Sequence, residues 1–404
     1  MILSTYKILD GNEAVCEAVR LSRVEVIAVF PITPMTTIAN QLADWTNSGE
    51  LKAELIQPEN EHGSLEICFG ASAAGTRTFT ASCSQGIVFM EEMIWAIPGY
   101  RLPVVMTVCN RSISHPGGLQ STHSDSLLQR DSGWIQFYCE DPQESLDTLI
   151  MAYKIAEDKR VLLPTMTTLD GYTVSACAVP VKVPDQRDVD TFLPEYVPEF
   201  YLNPNRPPVI PKGIPDEADL RSARAETELR YMVDEVMTNS KEVISQVNQE
   251  FGERFGRMYG NGLVEKYRCE DAQGLLITMG SLTGTARDAI DELRSEGKPI
   301  GLVKLKSFRP FPTEDIMEIC RQVEAVGVVD KNFSHGSSNR VGISNLEIAR
   351  TLYELKERPH LLDFIIGIGG RDVTTSHIRY IADRVLDTCE TGKVERPVEW
   401  IQLK

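Results

Sequence analysis

A chain of 404 residues with 42% hydrophobic composition can bury a sizeable core and is long enough for two or three globular domains. Its 58 acidic against 41 basic residues leave a net charge of −17, which repels nucleic-acid phosphates and anionic lipid headgroups, so neither is an expected partner. No basic stretch leads into an apolar segment after Met1, and no apolar run reaches the roughly 18 residues of a membrane span, so the expected location is the cytoplasm.

Residues 1–180 alternate apolar, β-branched runs with amphipathic stretches. The spacing predicts helices over 13–22, 63–74 and 143–158, and buried strands over 24–30, 78–82 and 103–109. That rhythm is the signature of an α/β fold with a doubly wound parallel sheet, whose ligands gather in the loops beyond the carboxyl ends of the strands. Residues 31–34, 84–86 and 110–131 are polar loops in that position. Nine prolines between Pro180 and Pro215 mark residues 181–270 as a second region. It is expected to begin as an extended Pro-rich linker and continue from Asp216 to near Phe255 as one long charged helix or a helical pair bridging two lobes. From Asp271 a second α/β pattern runs: a strand over 275–279, a small-residue turn Gly280-Ser281-Leu282-Thr283-Gly284, a helix over 285–296, and strands over 300–306 and 325–330. Residues 271–404 are therefore expected to form a smaller doubly wound parallel-sheet domain.

Four segments carry candidate chemistry. In Phe30-Pro31-Ile32-Thr33-Pro34 two prolines clamp the backbone around a hydroxyl, which suits a donor held against a substrate carboxylate; Thr ahead of a helical stretch also serves as a cap. Glu59-Asn60-Glu61-His62 precedes the small-residue run Gly70-Ala71-Ser72-Ala73-Ala74-Gly75. Close packing of such a helix would carry a carboxylate into a dry interface, where it can hydrogen-bond a ring nitrogen; an exposed acidic loop is the plainer alternative. Cys109-Asn110-Arg111 ends a strand, a place that suits bidentate capture of a carboxylate or phosphate, or else an ion pair with Asp125 or Asp131. His123 beside Asp125 is a candidate proton carrier, but no nucleophile elbow accompanies it, and neither a P-loop nor a strand-linked dinucleotide fingerprint is present. The nine cysteines are widely spaced with no C-x-x-C, so a cluster or structural zinc site on this chain is not expected, and most thiols should be reduced packing residues.

Taken in order, Pro31-Ile32-Thr33-Pro34, Glu59 to His62, Gly70 to Gly75, Ser84-Gln85-Gly86, His123-Ser124-Asp125 and Arg130-Asp131-Ser132-Gly133-Trp134 resemble the alpha subunits of pyruvate:ferredoxin oxidoreductase and its 2-oxoacid relatives. Thr278-Met279-Gly280-Ser281, Phe308-Arg309-Pro310-Phe311-Pro312 and Gly369-Gly370-Arg371-Asp372-Val373-Thr374 extend the likeness over nearly the whole chain.

The resemblance implies a pyrimidine-binding domain of the thiamine diphosphate enzymes followed by a transketolase C-terminal-like domain, and oxidative decarboxylation of a 2-oxoacid to acyl-CoA. It places Glu61 against the cofactor's aminopyrimidine ring and Thr33 and Arg111 on the substrate carboxylate, with Ser84 and Gln85 beside the cofactor. Gly117, Gly118, Leu119 and His123 fall at the substrate. Coenzyme A is the implied co-substrate. The Gly-Asp-Gly motif that holds Mg2+ on the diphosphate is missing, since Asp170-Gly171 lacks the first glycine and the later Asn. Hence Mg2+ and the diphosphate are expected on a beta subunit and the iron–sulfur clusters on a ferredoxin-like subunit. A gamma subunit completes the complex, and ferredoxin or another acceptor takes the electrons. Relatives acting on pyruvate carry bulk just before the His-Ser-Asp, whereas this chain has Pro116-Gly117-Gly118-Leu119, so a larger acid such as phenylglyoxylate is as plausible as pyruvate. A non-catalytic scaffold subunit and a transketolase-like transferase half are the alternative readings.

Overall fold

The computed structural model describes residues 4–114, 116, 118–198, 201–202 and 226–404. Residues 199–200 and 203–215 of the Pro-rich segment, Gly117, and residues 216–225 at the start of the expected long helix lie outside them.

The larger sheet has seven strands in the order Ser307–Arg309, Ile135–Tyr138, Thr165–Asp170, Val105–Asn110, Thr78–Ser82, Val26–Ala28, Glu54–Ile56. All its pairings are parallel except that of Ser307–Arg309 with Ile135–Tyr138. Every residue of its three middle strands is buried, because helices cover both faces; hence the unbroken apolar and threonine runs in the sequence. Helix Gly11–Leu21 starts at a capping box, Asp10 accepting from the Glu13 N–H while Glu13 accepts from the Asp10 N–H. Helix Pro142–Glu157 starts with Asp141 as cap and Pro142 in its first turn, then buries thirteen of its residues against the sheet.

The second sheet has six strands in the order Val398–Trp400, His360–Ile365, Ala325–Asp330, Gly274–Thr278, Ile300–Leu305, Val264–Tyr267, parallel except for the last. The two parallel-sheet lobes thus each carry an antiparallel edge strand that sequence periodicity did not anticipate.

Two findings change the expected domain map. Residues 181–193 are not linker: Val179–Pro184 pairs antiparallel with Ser4–Leu9, and helix Gln186–Phe192 sets Phe192 edge-on to Phe251 and Phe255, 5.3 and 5.7 Å between ring centres. The helix carrying those two rings, Glu226–Phe255, runs for 30 residues and packs along the first lobe. Secondly, Ser307–Arg309 leaves the C-terminal lobe and completes the edge of the N-terminal sheet, so the lobes share a strand.

A buried ion network lies at this junction. Lys304 Nζ is 2.7 Å from Glu144, 3.0 Å from Glu140 and 2.9 Å from Glu265, and Lys306 Nζ is 2.6 Å from Glu144. Burial by itself would push the Glu144 carboxyl up, but the two ammonium groups outweigh it and bring it from 4.5 down to about 2. A carboxyl depressed in this way stabilises the fold fully above about pH 4.5 and loses that contribution as pH falls through about 2. Thermal melts from pH 6 downward are therefore expected to show a fall in Tm below about pH 4.5 that Glu144→Gln flattens. Parallel pH profiles of the two proteins would refute the assignment.

Candidate active site

Three adjacent strands, Val26–Ala28, Thr78–Ser82 and Val105–Asn110, deliver three loops to one end of the larger sheet. Thr33 in the first is exposed and caps nothing: helix Thr36–Ser48 begins after Met35 without a side-chain cap. The Thr33 carbonyl instead accepts from Cys83 Sγ at 3.0 Å and from Arg111 Nη1 at 2.9 Å. Thus all three loops are tied at one oxygen. Burial pushes the Cys83 thiol up, so it remains a neutral donor.

Arg111 makes no ion pair among the described residues. Its Nε reaches the Gly118 carbonyl at 3.4 Å, and neither suggested acidic partner takes its guanidinium: Asp125 receives the Arg111 main-chain N–H at 2.9 Å, while Asp131 lies near Arg130 and Arg309. A guanidinium held by two carbonyls keeps donors free for an incoming carboxylate.

Glu61 opens helix Glu61–Ala73, whose cap Asn60 accepts from the Gly63 N–H at 2.9 Å. The residue is only 9% exposed, and its carboxylate hydrogen-bonds no described residue. Gly86 faces it: a Cβ there would lie 3.0 Å from Glu61 Oε1 and 2.4 Å from Ser82 Oγ, so only glycine allows helix Ser84–Phe89 this approach. A nearly buried carboxylate left without a partner beside a glycine-lined wall fits a donor arriving from outside the chain, as the aminopyrimidine half of thiamine diphosphate would be. Among the described residues no three His, Cys, Asp or Glu side chains are grouped to hold a metal.

Ser84 adopts the left-handed region at φ +51°, which costs a non-glycine residue about 1–2 kcal/mol. Its N–H donates to Asp125 Oδ2 at 2.8 Å, and its Oγ is 2.6 Å from both the Ser112 carbonyl and Gln85 Oε1. The Gln85 side chain is on the surface.

His123 stands elsewhere than expected. Its ring is buried, 3.0 Å from Asp170 Oδ1 and packed on Tyr138, so it faces the junction between the lobes and not the open loops. Asp170 also accepts from Ser121 Oγ at 2.6 Å and, across the junction, from the N–H and hydroxyl of Ser281, with Lys331 Nζ 3.5 Å away. Although burial opposes ionisation, Lys331 and His123 hold its carboxyl well below the usual range. Gly118 contributes its carbonyl to Arg111, Leu119 is 43% exposed, and Gly117 lies outside the described residues. Sequence reading offered Asp125 only as an ion-pair partner of Arg111 or a neighbour of His123, and Asp170 only within Asp170-Gly171, and did not expect either as a buried carboxylate bridging separate segments.

Comparison with known proteins adds the following. Residues 17–247 match the family model "Pyruvate flavodoxin/ferredoxin oxidoreductase, thiamine diP-bdg", and residues 272–378 match "Pyruvate:ferredoxin oxidoreductase core domain II". Pyruvate synthase subunit PorA of Methanothermobacter thermautotrophicus is 44% identical over 400 residues, 98% of each chain. Ketoisovalerate oxidoreductase subunit VorA of Pyrococcus horikoshii is 39% identical over 398 residues, again 98% of each. Among solved structures, the 2-oxoglutarate:ferredoxin oxidoreductase of Magnetococcus marinus superposes with a TM-score of 0.64 at 19% identity, covering 94% of this chain and 65% of that one. A split-gene transketolase does so at 0.54 and 14% identity, covering 94% and 99%. At such identities the structures speak for the fold alone.

Proposed function

Since the chain belongs to the pyruvate:ferredoxin oxidoreductase family, as an alpha subunit, we propose that it supplies the pyrimidine and substrate side of a thiamine diphosphate site completed by a partner subunit. The family's reaction is the oxidative decarboxylation of a 2-oxoacid with coenzyme A. The carrying observation is Glu61, a nearly buried carboxylate with no partner of its own, facing Gly86.

Bound thiamine diphosphate supplies a carbon nucleophile for the 2-oxo group and a sink for the electrons left by CO2. This chain's residues do the rest on their side. Glu61 accepts a hydrogen bond from the aminopyrimidine ring and favours the tautomer that can take up a proton. Arg111 grips the oxoacid carboxylate with the guanidinium donors not spent on Thr33 and Gly118, and the Thr33 hydroxyl, exposed at the same loop, adds a second donor. Ser84 and Gln85, which precede Gly86 at the start of the helix facing Glu61, lie beside the cofactor in this reading. Exposed Ile56, Val88 and Phe89 border this side, Phe89 lying against His62 next to Glu61, and offer apolar area for a partner subunit to cover.

A beta subunit carrying the diphosphate and Mg2+, a gamma subunit, a cluster-bearing ferredoxin-like subunit and a cytoplasmic location belong to the same proposal. The test is reconstitution. The isolated chain is expected to show no turnover, and the assembled complex to reduce a ferredoxin or viologen acceptor only when 2-oxoacid and coenzyme A are both present. Turnover by the chain alone would overturn the shared-site reading. In the complex, Arg111→Ala is expected to raise KM for the oxoacid roughly 10- to 100-fold, the worth of charge-assisted hydrogen bonds, with a smaller effect on kcat.

Pyruvate is the first substrate to try. A larger acid is the second reading, resting on the Gly117-Gly118 pair in place of bulk and on Leu119, which is 43% exposed. Comparing kcat/KM for pyruvate, 2-oxoisovalerate and phenylglyoxylate decides between them, and a strong pyruvate preference removes the larger-pocket reading.

A further inference from the structure

We infer that Asp125 is a positioning residue for this reaction: one buried carboxylate fixes the Ser84 turn and the Arg111 backbone to each other, and so sets the cofactor side of the site in register with the substrate side. The inference rests on the functional reading above. Asp125 is fully buried in the first turn of helix Ser124–Leu128, and its two oxygens accept four hydrogen bonds. Oδ2 takes the main-chain N–H of Ser84 at 2.8 Å and of Arg111 at 2.9 Å; Oδ1 takes Asn110 Nδ2 at 2.8 Å and its neighbour Ser126 N–H at 2.9 Å. No cation pairs with it among the described residues. A buried carboxylate without a counter-charge is costly, and the fourfold acceptance offsets that cost.

The geometry explains why the carboxylate stands there. Ser84 opens helix Ser84–Phe89 two residues past one strand and Arg111 directly follows the neighbouring strand, and Ser84 has a left-handed backbone that an untethered turn would relax. A single oxygen bonded to both N–H groups holds the strained turn and fixes its separation from Arg111, while the Ser84 hydroxyl reaches Ser112 beyond it. Asp125 touches neither cofactor nor substrate in this arrangement; it acts through Ser84 and Arg111.

The test uses Asp125→Asn and Asp125→Ala in the assembled complex. Asparagine keeps the shape and one oxygen for Ser84 and Arg111; its NH2 can donate to Asn110 Oδ1, which lacks a partner and can turn to accept, while the Ser126 N–H loses its acceptor. The expected result for Asp125→Asn is a roughly tenfold loss in thiamine diphosphate affinity, read by calorimetry without turnover, and a similar rise in oxoacid KM, with kcat little changed. Asp125→Ala, which takes the acceptor from the Ser84, Arg111 and Ser126 N–H groups and from Asn110 Nδ2, is expected to lose at least tenfold more in both. If Asp125→Ala does not assemble, Asp125→Asn decides alone. Wild-type cofactor affinity and KM in Asp125→Asn, or a loss confined to kcat, would overturn the inference. The functional reading fails separately, by a wild-type complex with no oxoacid-dependent reduction or by Glu61→Gln at full activity.

Discussion

Glu61→Gln is expected to lower kcat of the assembled complex by about 10²- to 10⁴-fold, the usual contribution of a positioned proton-transfer group, without lowering its Tm. The substitution keeps the volume of a side chain packed against Gly86 and removes only the carboxylate's capacity to accept and share a proton. Because that carboxylate hydrogen-bonds no described residue, neutralising it breaks nothing inside the chain, and stability is not where the loss should fall. Oxoacid KM should change far less than kcat, since Arg111 and Thr33 stay in place. An assembled Glu61→Gln complex with wild-type kcat would leave the scaffold reading as the better account.

Lys304→Met is expected to have the largest effect on stability, about 3–5 kcal/mol, as for other buried ion pairs broken on one side. Three carboxylates converge on this ammonium from both lobes: Glu140 and Glu144 from the N-terminal lobe, Glu265 from the C-terminal one. Methionine fills the same space but leaves Glu144 to Lys306 alone, and Glu140 and Glu265 to share Arg287 at 2.6 and 3.3 Å. The loss should be read by urea denaturation of the isolated chain at neutral pH, where the acids are ionised. A change within the ~0.5 kcal/mol typical of surface substitutions would show that solvent reaches the cluster and the network is not buried in the working protein.

Hydrophobic periodicity made the inner strands legible. The strands expected over 78–82 and 325–330 are the observed Thr78–Ser82 and Ala325–Asp330, because a strand covered on both faces is written as a run of apolar and small hydroxyl residues almost free of charge. Glu54–Ile56, Ser307–Arg309 and Val398–Trp400 were not legible, since three residues are too few to establish a period. Pro180 and Pro184 made residues 181–193 look like linker, yet they sit in a two-stranded ribbon whose strands each have a free edge, where a missing N–H is tolerated. Thr33, Glu61 and Arg111 could be proposed for the site because each stands near the end of a predicted strand or the start of a helix. Asp125 and Asp170 act through bonds spanning 41 and 111 residues of sequence, and no local pattern records a partner that distant. The same distance misled the reading of His123: next to Ser124 and Asp125 it looks like part of the open site, but its ring is turned to Asp170.

The strand that the C-terminal lobe lends to the N-terminal sheet bears on how this polypeptide can be handled and how its gene can be divided. A fragment ending before Ser307 leaves Ile135–Tyr138 as a bare sheet edge, four residues long and wholly apolar or uncharged, a ready template for pairing with another copy. Such a fragment should aggregate, and its complement should lack a partner for Ser307-Phe308-Arg309. Splitting the two lobes onto separate genes would succeed only if the halves met during synthesis, so truncation work should keep Ile135–Tyr138 and Ser307–Arg309 on one chain.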